Sequence, residues 1–241
     1  IDAETSEKLI AEDPKSEELI KPWLRGRDIK KWTAEWANLY LINIPNSSNH
    51  HWPWSDEKTE SKANKIFKET FPSIHAHLSQ WEDKLIKRDD QGKFWWELRS
   101  CAYYKEFEGP KITWGNLATE PKFAVDSELC YVSAPAVIIP TDNLYLLSIL
   151  NSPLCKWLIA LQAAVRSGGF LEYKPMYVET VPIVQTTDKQ KAPIIEHVQK
   201  ILAAPDSPDV PRLEAEINSL VYALYGLTPE EIAIVEGASK G

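Results

Sequence analysis

Four of the five histidines lie at positions 50, 51, 75 and 77, and imidazole is a common protein ligand for zinc. Their spacing does not converge on one ion. His75 and His77 stand two apart in a helical pattern, which turns the rings to different faces. His50 and His51 are adjacent in a loop with no cysteine or carboxylate pattern beside them. Carboxylates offer a second chemistry, because nuclease sites hold a water-activating metal between spaced acidic side chains near a lysine. Asp83 with Lys87, the pair Asp89-Asp90, and Glu106 with Glu108 supply the residue types, but a solvated helix face and turns account for them. Asn43-Ile44-Pro45-Asn46 lacks the second proline and the aromatic of the clamp that grips an extruded base. With only nine glycines there is no Gly-rich turn for a methyl donor, no phosphate loop and no G-x-S-x-G elbow. This reading assigns no catalytic residue and no metal site.

What remains is chemistry of binding. Arg25 and Arg27 flank Gly26, which lets backbone approach a phosphate closely, or the three form a solvated surface turn. Lys93, Trp95 and Arg99 follow the turn at Gly92. On a strand, Trp95 and Trp96 would face opposite sides, placing at least one in the core, and Arg99 would share a face with Trp95. Arg99 then either reads guanine through two parallel hydrogen bonds or pairs with Asp89 or Glu97. Lys111 and Trp114 suit either a groove-facing or an interior strand position. Arg166 precedes Ser167-Gly168-Gly169-Phe170, with Lys174 nearby. The group reads either as a DNA-contacting loop or as a helix C-terminal cap.

Elements must position these side chains. Residues 1–18 are acidic and poor in apolar anchors, as expected of a leader or linker, and the missing initial Met suggests an excised fragment. Residues 36–44 read as a strand, 45–57 as a polar loop, and 62–87 as helix, with Pro72 starting a second one. Short strands are expected within Phe94–Ser133 and at Val137–Ile139. Residues 142–164 read as two helices broken at Asn151-Ser152-Pro153, and Ser167–Gly169 as a loop needing unusual backbone angles. Amphipathic helices at 189–203 and 212–225 and a capped one from Thr228 close the chain. The pattern is α+β followed by a helical segment, divided as 1–18, 19–185 and 186–241.

Charge constrains the partner. The net charge is −8, yet residues 21–115 carry +3 while 1–20, 116–180 and 181–241 carry −5, −2 and −4. Nine of the ten tryptophans, Trp23 to Trp114, fall in the one basic block, a combination that suits a surface holding phosphates and packing on bases. Cys101, Cys130 and Cys155 form no C-x-x-C pair and read as free thiols of a reducing cytoplasm. No apolar run is long enough to span a membrane.

Five segments in order carry a resemblance: Ile20-Lys21-Pro22-Trp23-Leu24-Arg25-Gly26-Arg27-Asp28-Ile29, the stretch from Arg88 to Arg99 (RDDQGKFWWELR), Gly109-Pro110-Lys111-Ile112, Leu147-Ser148-Ile149-Leu150-Asn151-Ser152-Pro153-Leu154, and Glu214 to Val235. Their order and spacing resemble the TaqI-like C-terminal specificity domain of type IIG restriction–modification enzymes and related adenine-specific DNA methyltransferases. The resemblance implies a twisted, mainly antiparallel sheet with flanking helices, similar to type I specificity-subunit target-recognition domains, followed by a C-terminal helical segment. It implies a non-catalytic, cytoplasmic reader of double-stranded DNA, without a cofactor of its own or a membrane. Its partner would be an N-terminal methyltransferase domain of the parent protein that uses S-adenosylmethionine. The expected DNA-binding residues are Arg25, Arg27, Lys93, Trp95, Arg99, Lys111, Trp114, Arg166 and Lys174. Two other readings stand beside it: a protein-interaction domain of a multidomain assembly, which the acidic total favours, and a nuclease with an unrecognised site.

Overall fold

Acidic residues at a chain end suggest a solvated leader, yet here they fold. In the computed structural model, which describes residues 1–239, α1 (Ala3–Glu12) starts at Asp2, whose carboxylate accepts from Thr5 N at 2.9 Å. Leu9 and Ser6 are buried, the Ser16 and Ser73 hydroxyls meet at 2.7 Å, and the Ile1 ammonium donates to the Tyr40 carbonyl at 2.8 Å. A 3-10 turn, Pro14–Leu19, delivers Leu19 to the same core. The linker reading of 1–18 is therefore corrected. Its anchors are one leucine and two buried serines, too few apolar residues to show in composition.

The chain divides into two units, each described by itself. The first comprises Ile1–Trp23 and Trp36–Glu108. Here β1 (Ile20–Leu24) pairs antiparallel with β3 (Tyr40–Ile42), Ile20 opposite Ile42. Helices α2 (Glu60–Thr70), α3 (Pro72–Ser79) and α4 (Glu82–Leu85) follow, and Pro72 opens α3 as expected. The intervening loop is not a polar excursion, because it carries Trp52 and Trp54 into the core. There Trp52 stacks on Trp54 at 5.1 Å, and Phe67 and Phe94 sandwich Trp96 at 5.0 Å each.

Residues 94–110 form no strand. Glu97 among them is fully buried, and its carboxylate accepts from Trp54 Nε1 (3.0 Å), Lys93 N (2.8 Å), Ser47 N (3.1 Å) and the Ser47 hydroxyl. Arg88 Nη2 donates to the Trp95 and Glu97 carbonyls at 2.7 and 3.0 Å. Gly92 is required by close approach, since a Cβ there would lie 2.4 Å from Glu97 Cβ.

The second unit comprises Leu24–Glu35 and the chain from Gly109 onward. A four-stranded sheet orders β2 (Trp32–Thr33), β6 (Phe123–Asp126), β4 (Lys111–Trp114) and β8 (Val137–Ile139), with β2–β6 parallel and the other pairs antiparallel. A second, antiparallel sheet orders β5 (Leu117–Ala118), β10 (Phe170–Glu172) and β9 (Val165–Arg166). A short β7 (Tyr131–Val132) leads to Ser133, whose N–H donates to the Leu24 carbonyl at 2.9 Å. Lys111 opens β4 opposite Asp126 of β6, and their charged groups meet at 2.9 Å with side chains 0% and 1% exposed.

Helices α5 (Leu144–Leu150) and α6 (Pro153–Ala160) break where expected, Ser152 accepting from Cys155 N at 3.3 Å. The Asn151 side chain bonds both Phe123 N (3.0 Å) and Phe123 O (2.8 Å), so the break also clamps β6. After α7 (Pro175–Val178) come α8 (Asp188–Ala203), α9 (Val210–Tyr225) and α10 (Pro229–Ser239). Ile194, Val198, Ile217, Val221 and Val235 share one core with Ile112, Trp114 and Phe123. The C-terminal helices thus complete the sheet unit instead of forming a separate piece after residue 185. The architecture is α+β, mainly antiparallel, with helices at the C-terminus, its strands divided among small sheets.

Removing one partner of a dry ion pair leaves the other charge uncompensated. Lys111→Met should cost about 3–5 kcal/mol in urea unfolding. Burial holds His75 and His77 below the ordinary imidazole value of 6.5. The unfolded chain then binds protons that the folded one refuses, so stability is full above about pH 6.5 and declines on acidification below it. Unfolding midpoints compared at about pH 7.5 and 5.5 should show this loss, reduced in the His75→Gln/His77→Gln variant.

Candidate nucleic-acid interface

In the second unit, three turns lie next to one another. The first is the 3-10 turn Gly26–Asp28. The Asp28 carboxylate accepts from Arg25 Nε (2.7 Å), Nη2 (2.8 Å) and backbone N (3.1 Å). Those hydrogen bonds from the guanidinium hold the Asp28 carboxyl below the usual carboxylate range. Arg25 is thereby a brace, and Arg27 is left exposed at the crest of the turn.

The second turn is Gly115-Asn116. Gly115 abuts the first turn, its Cβ direction ending 4.0 Å from the Gly26 carbonyl, and the Asn116 carbonyl accepts from Tyr173 N at 2.8 Å. Leu117 then pairs with Glu172 on β10. The third is the β9–β10 hairpin, whose Gly168 and Gly169 have φ of 80° and 76°, the unusual angles the sequence suggested. Alternation sends Leu171 into the core and leaves Phe170 and Glu172 on the outer face, beside Arg166 and Leu117 respectively.

Two cations close on one anion there. Arg166 Nε lies 2.7 Å from Glu172 Oε1, and Lys174 Nζ lies 2.7 Å from Glu172 Oε2. Both cations hold the Glu172 carboxyl below its ordinary range, with the Lys174 bond the larger cause. The face therefore offers exposed Arg27, partly neutralised Arg166 and Lys174, and the exposed apolar side chains Leu117 and Phe170. Guanidinium and ammonium groups on such a face can engage phosphates, and apolar side chains can pack on sugars or bases.

The other expected residues lie elsewhere. Lys111 is consumed by its dry pair with Asp126, and Trp114 is core, donating from Nε1 to the Tyr173 carbonyl at 2.7 Å. In the first unit, Trp95 is buried against Trp96, so its expected DNA contact is corrected along with those of Lys111 and Trp114. Lys93 Nζ donates to the Ser55 carbonyl at 2.6 Å and belongs to the knot around Glu97. Arg99 stays exposed, 3.6 Å from Asp90, its partner instead of Asp89 or Glu97. Beside it Asn49 Oδ1 accepts from Ser100 Oγ and Cys101 N, both at 2.9 Å, making a polar surface of Arg, Ser and Asn that the reading of single residues had not assembled. The tryptophan-rich block is likewise reassigned: Trp32, Trp52, Trp54, Trp95, Trp96 and Trp114 are buried. Leu117 and Glu172 were missed because only strand pairing brings them to the cations.

An α+β unit with C-terminal helices and this hairpin face has the fold of a restriction–modification specificity domain. The model of the TaqI-like C-terminal specificity domain family matches residues 21–183, and the chain belongs to that family. Among solved structures, the chain is similar to the type IIL restriction-modification enzyme MmeI in complex with DNA, with a TM-score of 0.59 and 12% identity. The match covers 100% of this chain and 33% of that one, so the chain spans a third of the neighbour's length. No curated protein matches. Among the described residues, no helix is long and apolar enough to cross a membrane and no cluster of three or more His, Cys, Asp or Glu could hold a metal ion.

The hairpin tip needs its left-handed glycines. Gly169→Ala should lower stability by about 1–2 kcal/mol in thermal unfolding, although a methyl there meets nothing within 4 Å.

Proposed function

We propose that the chain is a DNA target-recognition domain, serving an adenine-specific DNA methyltransferase or restriction–modification enzyme of the type IIG kind. Membership of the specificity-domain family over residues 21–183 carries this reading. The face of Arg27, Arg166, Lys174, Leu117 and Phe170 supports it, as does the likeness in fold to an enzyme solved with DNA. The domain itself performs no chemistry. Methyl transfer from S-adenosylmethionine to an extruded adenine belongs to a methyltransferase domain elsewhere in the parent protein, and the setting is the bacterial cytoplasm. Arg27 grips phosphate. Arg99, with Asn49 and Ser100 beside it, presents donors and acceptors suited to base edges.

With a net charge of −8 the domain alone binds duplex weakly, and affinity rises when the rest of the enzyme is present. The exposed apolar side chains Leu117, Val165 and Phe170 favour a second reading, a protein-docking surface.

Titration of duplex DNA across a salt series separates the two. Log affinity should fall linearly with log salt, and Arg27→Ala should make the slope shallower by about 0.9 while weakening all sequences alike. Arg99→Ala should instead relax preference at one position among duplexes selected from a random pool. Salt-independent or absent duplex binding would leave the docking reading.

A further inference from the structure

The Arg166–Glu172–Lys174 cluster does more than decorate the hairpin, and the inference drawn from it rests on the DNA-binding reading. Its asymmetry lies in mobility. Glu172 is only 8% exposed and is pinned on both sides by Leu171 and Tyr173, which are 4% and 1% exposed. Tyr173 N is tied to the Asn116 carbonyl at 2.8 Å, and Glu172 itself is in register with Leu117. The strand pairing therefore fixes the backbone that carries this carboxylate. The cations can swing out, because the Arg166 and Lys174 side chains are 59% and 44% exposed on long, rotatable stems.

We propose that Glu172 is a positioning residue that restrains non-specific DNA binding by holding Arg166 and Lys174 on its two oxygens. One anion occupied by two cations has the arrangement that a backbone phosphate would take at the same place. A phosphate arriving on this face meets a local charge of +1 instead of +2. If the cations turn to the phosphate, the Glu172 carboxylate loses both partners and is left as a like charge beside the phosphate. Either way the sequence-independent electrostatic attraction is reduced. Full engagement then occurs only where contacts elsewhere on the domain offset the cost. Glu172 acts on the ratio of specific to non-specific affinity, as a built-in repulsive element does.

Glu172→Gln keeps the shape and removes the charge. At about 0.1 M salt it should raise affinity for random-sequence duplex roughly five- to tenfold and steepen the salt slope by about one, the increment of one further phosphate contact. Preference for a selected target over random duplex should shrink by a similar factor. The gain should vanish when Arg166→Ala and Lys174→Ala are introduced together, which a merely structural role for Glu172 would not produce. Glu172→Ala, which asks for no amide partners, replaces Gln if that variant fails to fold. An unchanged slope and affinity in a folded variant, or a gain that persists without Arg166 and Lys174, overturns the proposal while the DNA reading stands. If the unaltered protein shows no salt-dependent duplex binding, both fall together.

Discussion

The contact between Lys111 Nζ and Asp126 Oδ2 governs the second unit, because each of these two buried charges offsets the other out of water. A one-residue slip of β4 against β6 would turn the lysine to the opposite face and strand the aspartate. The aspartate is committed further, accepting from Cys130 N at 2.7 Å and Glu128 N at 3.0 Å, so it organises the turn after β6 as well. Register set at Lys111 carries forward. Trp114 falls opposite Phe123, its indole reaches the Tyr173 carbonyl, and the chain turns at Gly115 against the Arg25–Asp28 brace. Leu117 then meets Glu172, and the hairpin face takes its shape. A residue expected to contact DNA is thus one that holds the hairpin face in place from inside.

The same inversion runs through the segments that identify the family. In RDDQGKFWWELR, Gly92 makes room for Glu97, Arg88 ties two carbonyls, and Trp95 and Trp96 are core. In the stretch ending Asn151-Ser152-Pro153, asparagine clamps β6 and serine caps α6. These residues have demanding local jobs that only their own side-chain types perform, and such jobs leave an ordered trace in sequence. Exposed side chains such as Arg27 and Arg99 have no comparable geometric demand, so nothing around them marks them.

Legibility in the sequence followed the range of the interaction. Helix starts at Pro72, Ser152 and Thr228, the break before α6 and the positive-φ glycines at 168–169 all depend on neighbours within a few residues, and all were readable. The knot around Glu97 gathers donors from Ser47, Trp54 and Lys93, as much as 50 residues away, and short apolar runs spaced by Gly and Pro there mimic strands. Helix α1 was missed for a related reason. Its burial rests on Leu9 and on serine contacts with Ser73, which no periodicity announces. The tryptophan count misled in the same way, since aromatic density next to basic residues describes a folded core as well as a base-stacking surface.

Charge is the thread between fold and function. An acidic chain that must hold a polyanion can do so only with cations it has not already spent. Arg25 is spent on Asp28, Lys93 on a carbonyl and Lys111 on Asp126. Arg166 and Lys174 are shared with the Glu172 carboxylate. Beside them Arg27 stays exposed, and with a net charge of −8 the summed field of the chain does not favour a polyanion. Weak attraction suits a reader, because a domain that clung to any duplex would blur the difference between its target and the rest. On the proposed reading, binding then comes from many short-range contacts made together, which a matching sequence and the remainder of the parent enzyme would supply at once.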